Sequence, residues 1–133
     1  MTKSAPERPP SLIELERIAR EQLATIPEKF REHFRDVVIC VQEFCDEEIE
    51  AKMGLESPFD LLGLYHGVSL DRKSVAASAS DLDMIFLYRR PILDYWCETG
   101  EDLAHVVRHV LIHEIGHHFG FSDEDMDRIE NSS

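Results

Sequence analysis

The sequence predicts a small α+β protein, and two observations point to that class. Apolar residues recur at helical spacing near both ends of the chain, over residues 12–23 and 103–111. Between them stand three short apolar runs of strand character, at residues 37–44, 64–68 and 84–88. The chain therefore combines helices with short strands.

The N-terminal part predicts a lead-in followed by one domain. Residues 1–10 hold three prolines, and we expect them to be disordered. Residues 11–131 have the usual length of a single domain. Ser11 and Glu14 form a capping pair that begins the first helix, and Pro27 interrupts it.

The middle of the chain contains shorter elements. The acidic residues 46–48 favour the start of a short helix that ends near Gly54. Residues 71–81 are small and polar, and we expect a mobile loop between two strands that can pair as a hairpin. Pro91 suits the first position of a short helix that ends at about Cys97.

Composition excludes several classes of partner. The formal net charge is −13 at pH 7, which repels nucleic-acid phosphate and anionic lipid, so we expect neither nucleic acid nor a membrane as a partner. Cys40, Cys45 and Cys97 form no CxxC pair, which argues against a disulfide framework. The N-terminus lacks the apolar core of a secretory signal, and with free thiols this predicts a cytoplasmic protein. The oligomeric state stays unknown.

A helix near the C-terminus is the element with the clearest signals. Thr99 can cap its start, it continues to Phe119, and Gly120 suits the left-handed position that follows. Ser122 can then cap a last short helix that ends at about Glu130. The core-facing stripe of the long helix consists of Leu103, Val106, Val107, Val110 and Leu111.

The same helix carries an HExxH motif. His113 and His117 are four residues apart, so both imidazoles lie on one helix face and can reach one ion. Zinc favours imidazole nitrogen and keeps an open position in catalytic sites. Glu114 lies between the two histidines, where it can act as general base on a zinc-bound water.

Catalytic zinc usually takes a third protein ligand, and Asp123 is the best candidate. Gly120 permits a sharp turn that ends the helix and can bring the Asp123 carboxylate back toward the metal. The whole run reads HExxHxxGxxD. An acidic residue at this position is also favoured simply as the start of a helix. Weaker substitutes for the third ligand are Glu101, Asp94 and Glu124.

Other histidines and tyrosines receive secondary interpretations. His105 and His109 continue the four-residue spacing upstream, and at about 1.5 Å of rise per residue we expect them to lie too far along the axis to join the ion at His113. His118 points about 100° away from His117 and is expected to pack against its surroundings. Candidates for stabilising an oxyanion are Tyr65, His66, Tyr88 and Tyr95.

The chain resembles a small, largely uncharacterised bacterial family of zincin-like metallopeptidases. The matching stretches are ESPFDLLGLY at residues 56–65, LYRRPIL at residues 87–93 and the motif at residues 113–123, within residues 37–131. The resemblance implies a minimal zincin-like fold, in which a small mixed sheet packs on an active-site helix and a backing helix. It also implies the three metal ligands His113, His117 and Asp123, with Glu114 as the catalytic residue.

The leading functional hypothesis is a zinc-dependent metallopeptidase that hydrolyses peptide bonds with metal-activated water. A peptide or protein substrate would lie along an exposed strand edge, either the strand near residues 64–68 or the one near residues 84–88. Two alternatives remain open. The chain could be a catalytically weak or inactive zincin-fold protein that acts as a metal-dependent binding module, or it could hold a purely structural metal with four protein ligands.

Overall fold

The computed structural model describes residues 8–32, 36–67 and 83–131. Residues 1–7 of the expected lead-in and the whole of the expected loop at 71–81 lie outside the described residues. Pro10 is buried, and its carbonyl oxygen accepts a 2.6 Å hydrogen bond from Arg89 Nε. The chain is therefore held against the rest of the protein one residue before the first helix cap.

The three apolar runs form one mixed sheet. Its strands are β1 (Val38–Gln42), β2 (Gly63–His66) and β3 (Met84–Tyr88), in the order β1-β3-β2. β3 runs parallel to β1 and antiparallel to β2. The hairpin-like pairing expected for β2 and β3 is confirmed, and β3 is the central strand.

Several of the predicted helix signals are present in the structure. The Ser11–Glu14 capping box is present in both directions, and Ser122 Oγ accepts a hydrogen bond from the Asp125 N–H at 3.1 Å. Asp46 caps the short acidic helix, which ends at Gly54 with φ 64°. The helices are α1 (Leu12–Leu23), α2 (Glu28–Arg31), α3 (Glu47–Met53), α4 (Arg89–Thr99), α5 (Leu103–Phe119) and α6 (Asp123–Asn131), with a 3-10 turn at Pro58–Asp60.

The boundary between α4 and α5 differs from the sequence expectation. Thr99 is the last residue of α4, and Asp102 is the residue that precedes α5. Gly100 adopts φ 70°, a left-handed conformation that ends α4 and separates the two helices. α4 also begins earlier than predicted, at Arg89 and not at Pro91, because it follows β3 directly. The Arg90 N–H donates to the Glu43 carbonyl.

One apolar cluster joins α1, the sheet, α5 and α6. Leu15 and Ala19 of α1 are fully buried against α5 and β1, which identifies α1 as the backing helix. α5 also contacts β2, so the helix with the motif and α1 pack on the sheet and on each other. The predicted stripe of α5 is buried throughout. The expected α+β arrangement of a small mixed sheet with an active-site helix and a backing helix is confirmed.

Across residues 8–32, 36–67 and 83–131, no helix combines the length and the apolar character that crossing a bilayer requires.

Cys45, Leu61 and Tyr88 form a second, smaller apolar cluster, and substitution of Tyr88 tests its contribution to stability. The Tyr88 side chain is fully buried beside Cys45 and Leu61, and among the described residues its hydroxyl has no hydrogen-bond partner. An unsatisfied buried polar group costs about 1–3 kcal/mol, so Tyr88→Phe is expected to leave the free energy of unfolding at pH 7 unchanged or raise it by about 1 kcal/mol. Urea unfolding measures this difference. A clear loss of stability would mean that the hydroxyl has a partner.

The same variant is expected to respond differently to alkaline pH. Burial raises the pKa of Tyr88 to about 12, whereas an unfolded tyrosine ionises near pH 10. Ionisation of the hydroxyl therefore favours the unfolded chain above about pH 10, and the stability of the wild type falls as the pH rises from 10 to 12. Urea unfolding at pH 7 and pH 11 should show that Tyr88→Phe loses less stability than the wild type. Equal losses of stability in the variant and the wild type would contradict the raised pKa of Tyr88.

Candidate metal and catalytic site

The face of α5 that points away from the core carries a row of histidines. His105, His109, His113 and His117 follow one another at four-residue spacing, which places them along one side of the helix. His113 is partly buried and His117 is exposed. The centroids of these two rings lie 5.9 Å apart, at 84° to each other. The structure therefore brings the two predicted HExxH ligands to the same helix face.

The turn after α5 directs the chain back along that helix. Gly120 has φ 71°, and the N–H of Phe121 donates to the Gly116 carbonyl at 2.8 Å. Met126 then packs on Gly116, where a Cβ atom would lie 2.4 Å from the Met126 Sδ. This close approach is possible because residue 116 has no side chain, and it lets α6 run antiparallel to α5.

Arg108 holds the far end of α6 in place. Its guanidinium Nη1 donates to the Glu130 carbonyl at 2.6 Å, and Nη2 donates to the Ile129 carbonyl at 2.7 Å. Nε donates to Thr25 Oγ1 at 3.1 Å. Basic side chains commonly satisfy the last carbonyls of a helix in this way. The contact places the Glu130 side chain opposite the histidine row.

Acidic side chains of α6 consequently face the histidines of α5. Glu130 Oε1 contacts His109 Nδ1 and lies 3.5 Å from His113 Nε2. The His109 and His113 ring centroids are 4.1 Å apart. Among the described residues, His109, His113 and Glu130 form a group whose ligand atoms all lie within 4.8 Å of one another.

The predicted ligand set overlaps with this group at one residue. His113 belongs to it, whereas His117 and Asp123 do not. Asp123 is the first residue of α6 and is exposed. Neither His109 nor Glu130 was predicted from the sequence as a metal ligand. Rise along the helix axis does not show how far an imidazole reaches toward a second helix. The four-residue spacing from His109 to His113 was the signal that could have identified the first of them.

The protonation of the motif side chains fits metal-assisted hydrolysis. Burial raises the pKa of the Glu114 carboxyl, with the charge of His117 acting in the opposite direction. A raised pKa suits a carboxylate that must accept a proton. Burial, together with the neighbouring His109, lowers the pKa of His113. A lowered pKa favours the neutral imidazole, which is the form that binds metal. Imidazole nitrogen and carboxylate oxygen are both donors that zinc accepts, so the side chains present fit zinc.

A cleft of about 280 Å³ opens beside these residues. His113 and Glu114 of the motif line it, together with Tyr95 of α4. The remaining wall is mostly aliphatic and consists of Leu61, Leu62, Gly63, Val106 and Val110, together with His109. A mostly apolar cleft with a few polar groups in its lining is typical of a small-molecule or side-chain binding site.

Other residues proposed from sequence have distinct surroundings. Tyr65 donates its hydroxyl to Asp83 Oδ2 at 2.9 Å, and its ring stacks on His118 with centroids 3.9 Å apart. Burial and this hydrogen bond raise the pKa of Tyr65. The packing role expected for His118 agrees with this contact. Tyr88 is fully buried, which leaves Tyr95 as the tyrosine that lines the cleft.

Comparison with known proteins agrees with these features. The sequence matches a family model described as zincin-like metallopeptidase over residues 34–132. The match includes the whole sheet, α5, α6 and the HExxH motif. No curated protein shows significant similarity to the chain.

Proposed function

The chain belongs to the zincin-like metallopeptidase family, and on that basis we propose that it hydrolyses peptide bonds with one zinc ion held by His113, His117 and Asp123. The observation that carries the proposal is the position of Glu114. Its partly buried carboxyl lies between two metal-binding histidines in sequence and lines the cleft together with His113. The proposed unit is residues 11–131, since one apolar cluster joins α1, the sheet, α5 and α6.

Each motif residue has a separate task in this proposal. Bound zinc supplies Lewis acidity and lowers the pKa of a coordinated water to about 7. Glu114 would accept one proton of the attacking water at its carboxylate and deliver it to the amine nitrogen, as the water oxygen bonds to the carbonyl carbon and the peptide C–N bond breaks. His113 and His117 supply neutral imidazole nitrogens, and Asp123 supplies a carboxylate oxygen. The α5–α6 turn at Gly120 brings the helix that begins with Asp123 back along α5.

The proposed substrate is an extended peptide that lies along β2. Of the two strands considered from sequence, β3 is central and pairs with a neighbour on both sides, so it has no free edge. β2 lies at the edge of the described sheet and contacts α5. A peptide could add to this edge through main-chain hydrogen bonds and place an apolar side chain in the cleft beside Glu114.

Cys40, Cys45 and Cys97 are unpaired, which supports action in a reducing compartment such as the cytoplasm.

Metal removal tests the proposed function. The purified chain is expected to bind one equivalent of zinc and to cleave an unstructured peptide mixture, with activity lost on chelation and restored by zinc. His113→Ala and His117→Ala are each expected to lower zinc affinity by more than the ~10–100-fold typical of losing an indirect contact to a metal. Calorimetry and mass spectrometry of the peptides provide the readouts.

His105→Ala is the matched control, since His105 is an exposed histidine of the same helix row. It is expected to keep both zinc and activity. If the wild type binds zinc but cleaves no peptide, the alternative of a metal-dependent binding module is the better description. A fourth protein ligand on the zinc, with no water, would instead support a structural site.

A further inference from the structure

We propose that His109, His113 and Glu130 form a second site for a divalent transition metal such as zinc, and that an ion there competes with the catalytic ion for His113. The site lies one helical turn upstream of the HExxH pair and uses two residues that the motif does not contain. The competition rests on the proposed function, whereas the site itself does not.

The ligand atoms of His109, His113 and Glu130 lie close together. One carboxylate oxygen of Glu130 faces both rings, in contact with His109 Nδ1 and 3.5 Å from His113 Nε2. The ligand atoms of all three residues lie within 4.8 Å of one another. Two imidazoles and one carboxylate are a ligand set that binds zinc and neighbouring transition metals.

The supporting structure around Glu130 is the second argument. Arg108 is 8% exposed, and it donates to the carbonyl oxygens of both Ile129 and Glu130. Ile129 is buried in the main core. The backbone that carries Glu130 is therefore positioned by groups that are not part of the site, so an ion would find the carboxylate already in place.

Access for an ion is the third argument. The side chains of His109 and His113 are 45% and 36% exposed, and that of Glu130 is 19% exposed. An ion can reach the group from solvent, and room remains for water molecules to complete its coordination.

His113 is a ligand in both proposed metal sites, so the two sites exclude each other. An imidazole nitrogen has one lone pair and binds one ion at a time. His113 Nε2 is the nitrogen that faces Glu130. When an ion occupies the upstream site through this nitrogen, it withdraws His113 from the pair with His117. At any zinc concentration the chain should therefore hold one ion, divided between the two positions by their relative affinities, and excess zinc should not add a second, independent one.

A binding experiment without peptide tests the site. In the metal-free double variant His117→Ala/Asp123→Ala, calorimetry with zinc is expected to show one remaining equivalent. Adding His109→Ala should weaken that binding at least ~10-fold, as should Glu130→Gln, which retains the side-chain shape. His105→Ala in the same background is the matched control and should leave the affinity unchanged. Circular dichroism confirms that each variant is folded.

Two results would overturn the inference. Absence of zinc binding in the double variant, or binding that neither His109→Ala nor Glu130→Gln weakens, would eliminate the site. In the wild-type chain, saturation at one equivalent is expected, and two ions bound independently would eliminate the competition. Because no readout requires hydrolysis, a failure of peptide cleavage would leave the outcomes for the site itself unaffected.

Discussion

Glu114→Gln is expected to abolish most peptide hydrolysis while zinc remains bound. Glutamine has nearly the shape of glutamate but cannot accept the proton of the attacking water. Loss of a general base typically lowers the rate by ~10²–10⁴-fold. Because burial already disfavours the charged carboxylate, the neutral side chain is not expected to lower the stability of the metal-free protein.

Three measurements separate chemistry from binding in this variant. Peptide turnover should fall, zinc affinity should match the wild type, and the thermal midpoint should be at least as high. Glu48→Gln, at an exposed position in α3, is the control for loss of one negative charge and should retain full activity. Turnover equal to that of the wild type in Glu114→Gln would exclude the proposed mechanism, whatever the zinc content.

Gly116→Val is expected to cause the largest loss of stability among these variants. A Cβ at residue 116 would lie 2.4 Å from Sδ and 2.8 Å from Cγ of Met126, and Met126 is 3% exposed, so it has little room to move. Overpacking of a core typically costs about 1–3 kcal/mol and occasionally more, and we expect about 3 kcal/mol here. Displacement of α6 should also weaken zinc binding, because this helix carries Asp123 and Glu130.

A double-mutant cycle with Met126→Ala tests the stated cause. Met126→Ala alone should destabilise by leaving a cavity. If the clash is responsible for the effect of Gly116→Val, the double variant should lose less stability than the sum of the single losses, by about 0.5–3 kcal/mol. Urea unfolding gives the free energies. Strictly additive losses would show that the valine acts elsewhere, for example on the helix backbone.

The elements of the fold were predicted more accurately than their junctions. Local signals sufficed where an apolar stripe is followed by a terminating glycine, as in α5, and at the capping box of Ser11 and Glu14. They were misleading at Thr99, because a threonine can end one helix or begin the next and only the left-handed Gly100 separates the two. The choice of β2 as the edge strand also depended on pairing between distant segments, which local patterns do not encode.

Sequence alone determined the helix that carries HExxH and the common face of His113 and His117, because the period of an α-helix converts spacing directly into direction. Only the tertiary structure decided what faces them. The packing of Met126 on Gly116 and the contact of Arg108 with the end of α6 bring Glu130 to His109 and His113. That arrangement depends on the distance and direction between two helices, which follow from side-chain packing rather than from the period of either helix.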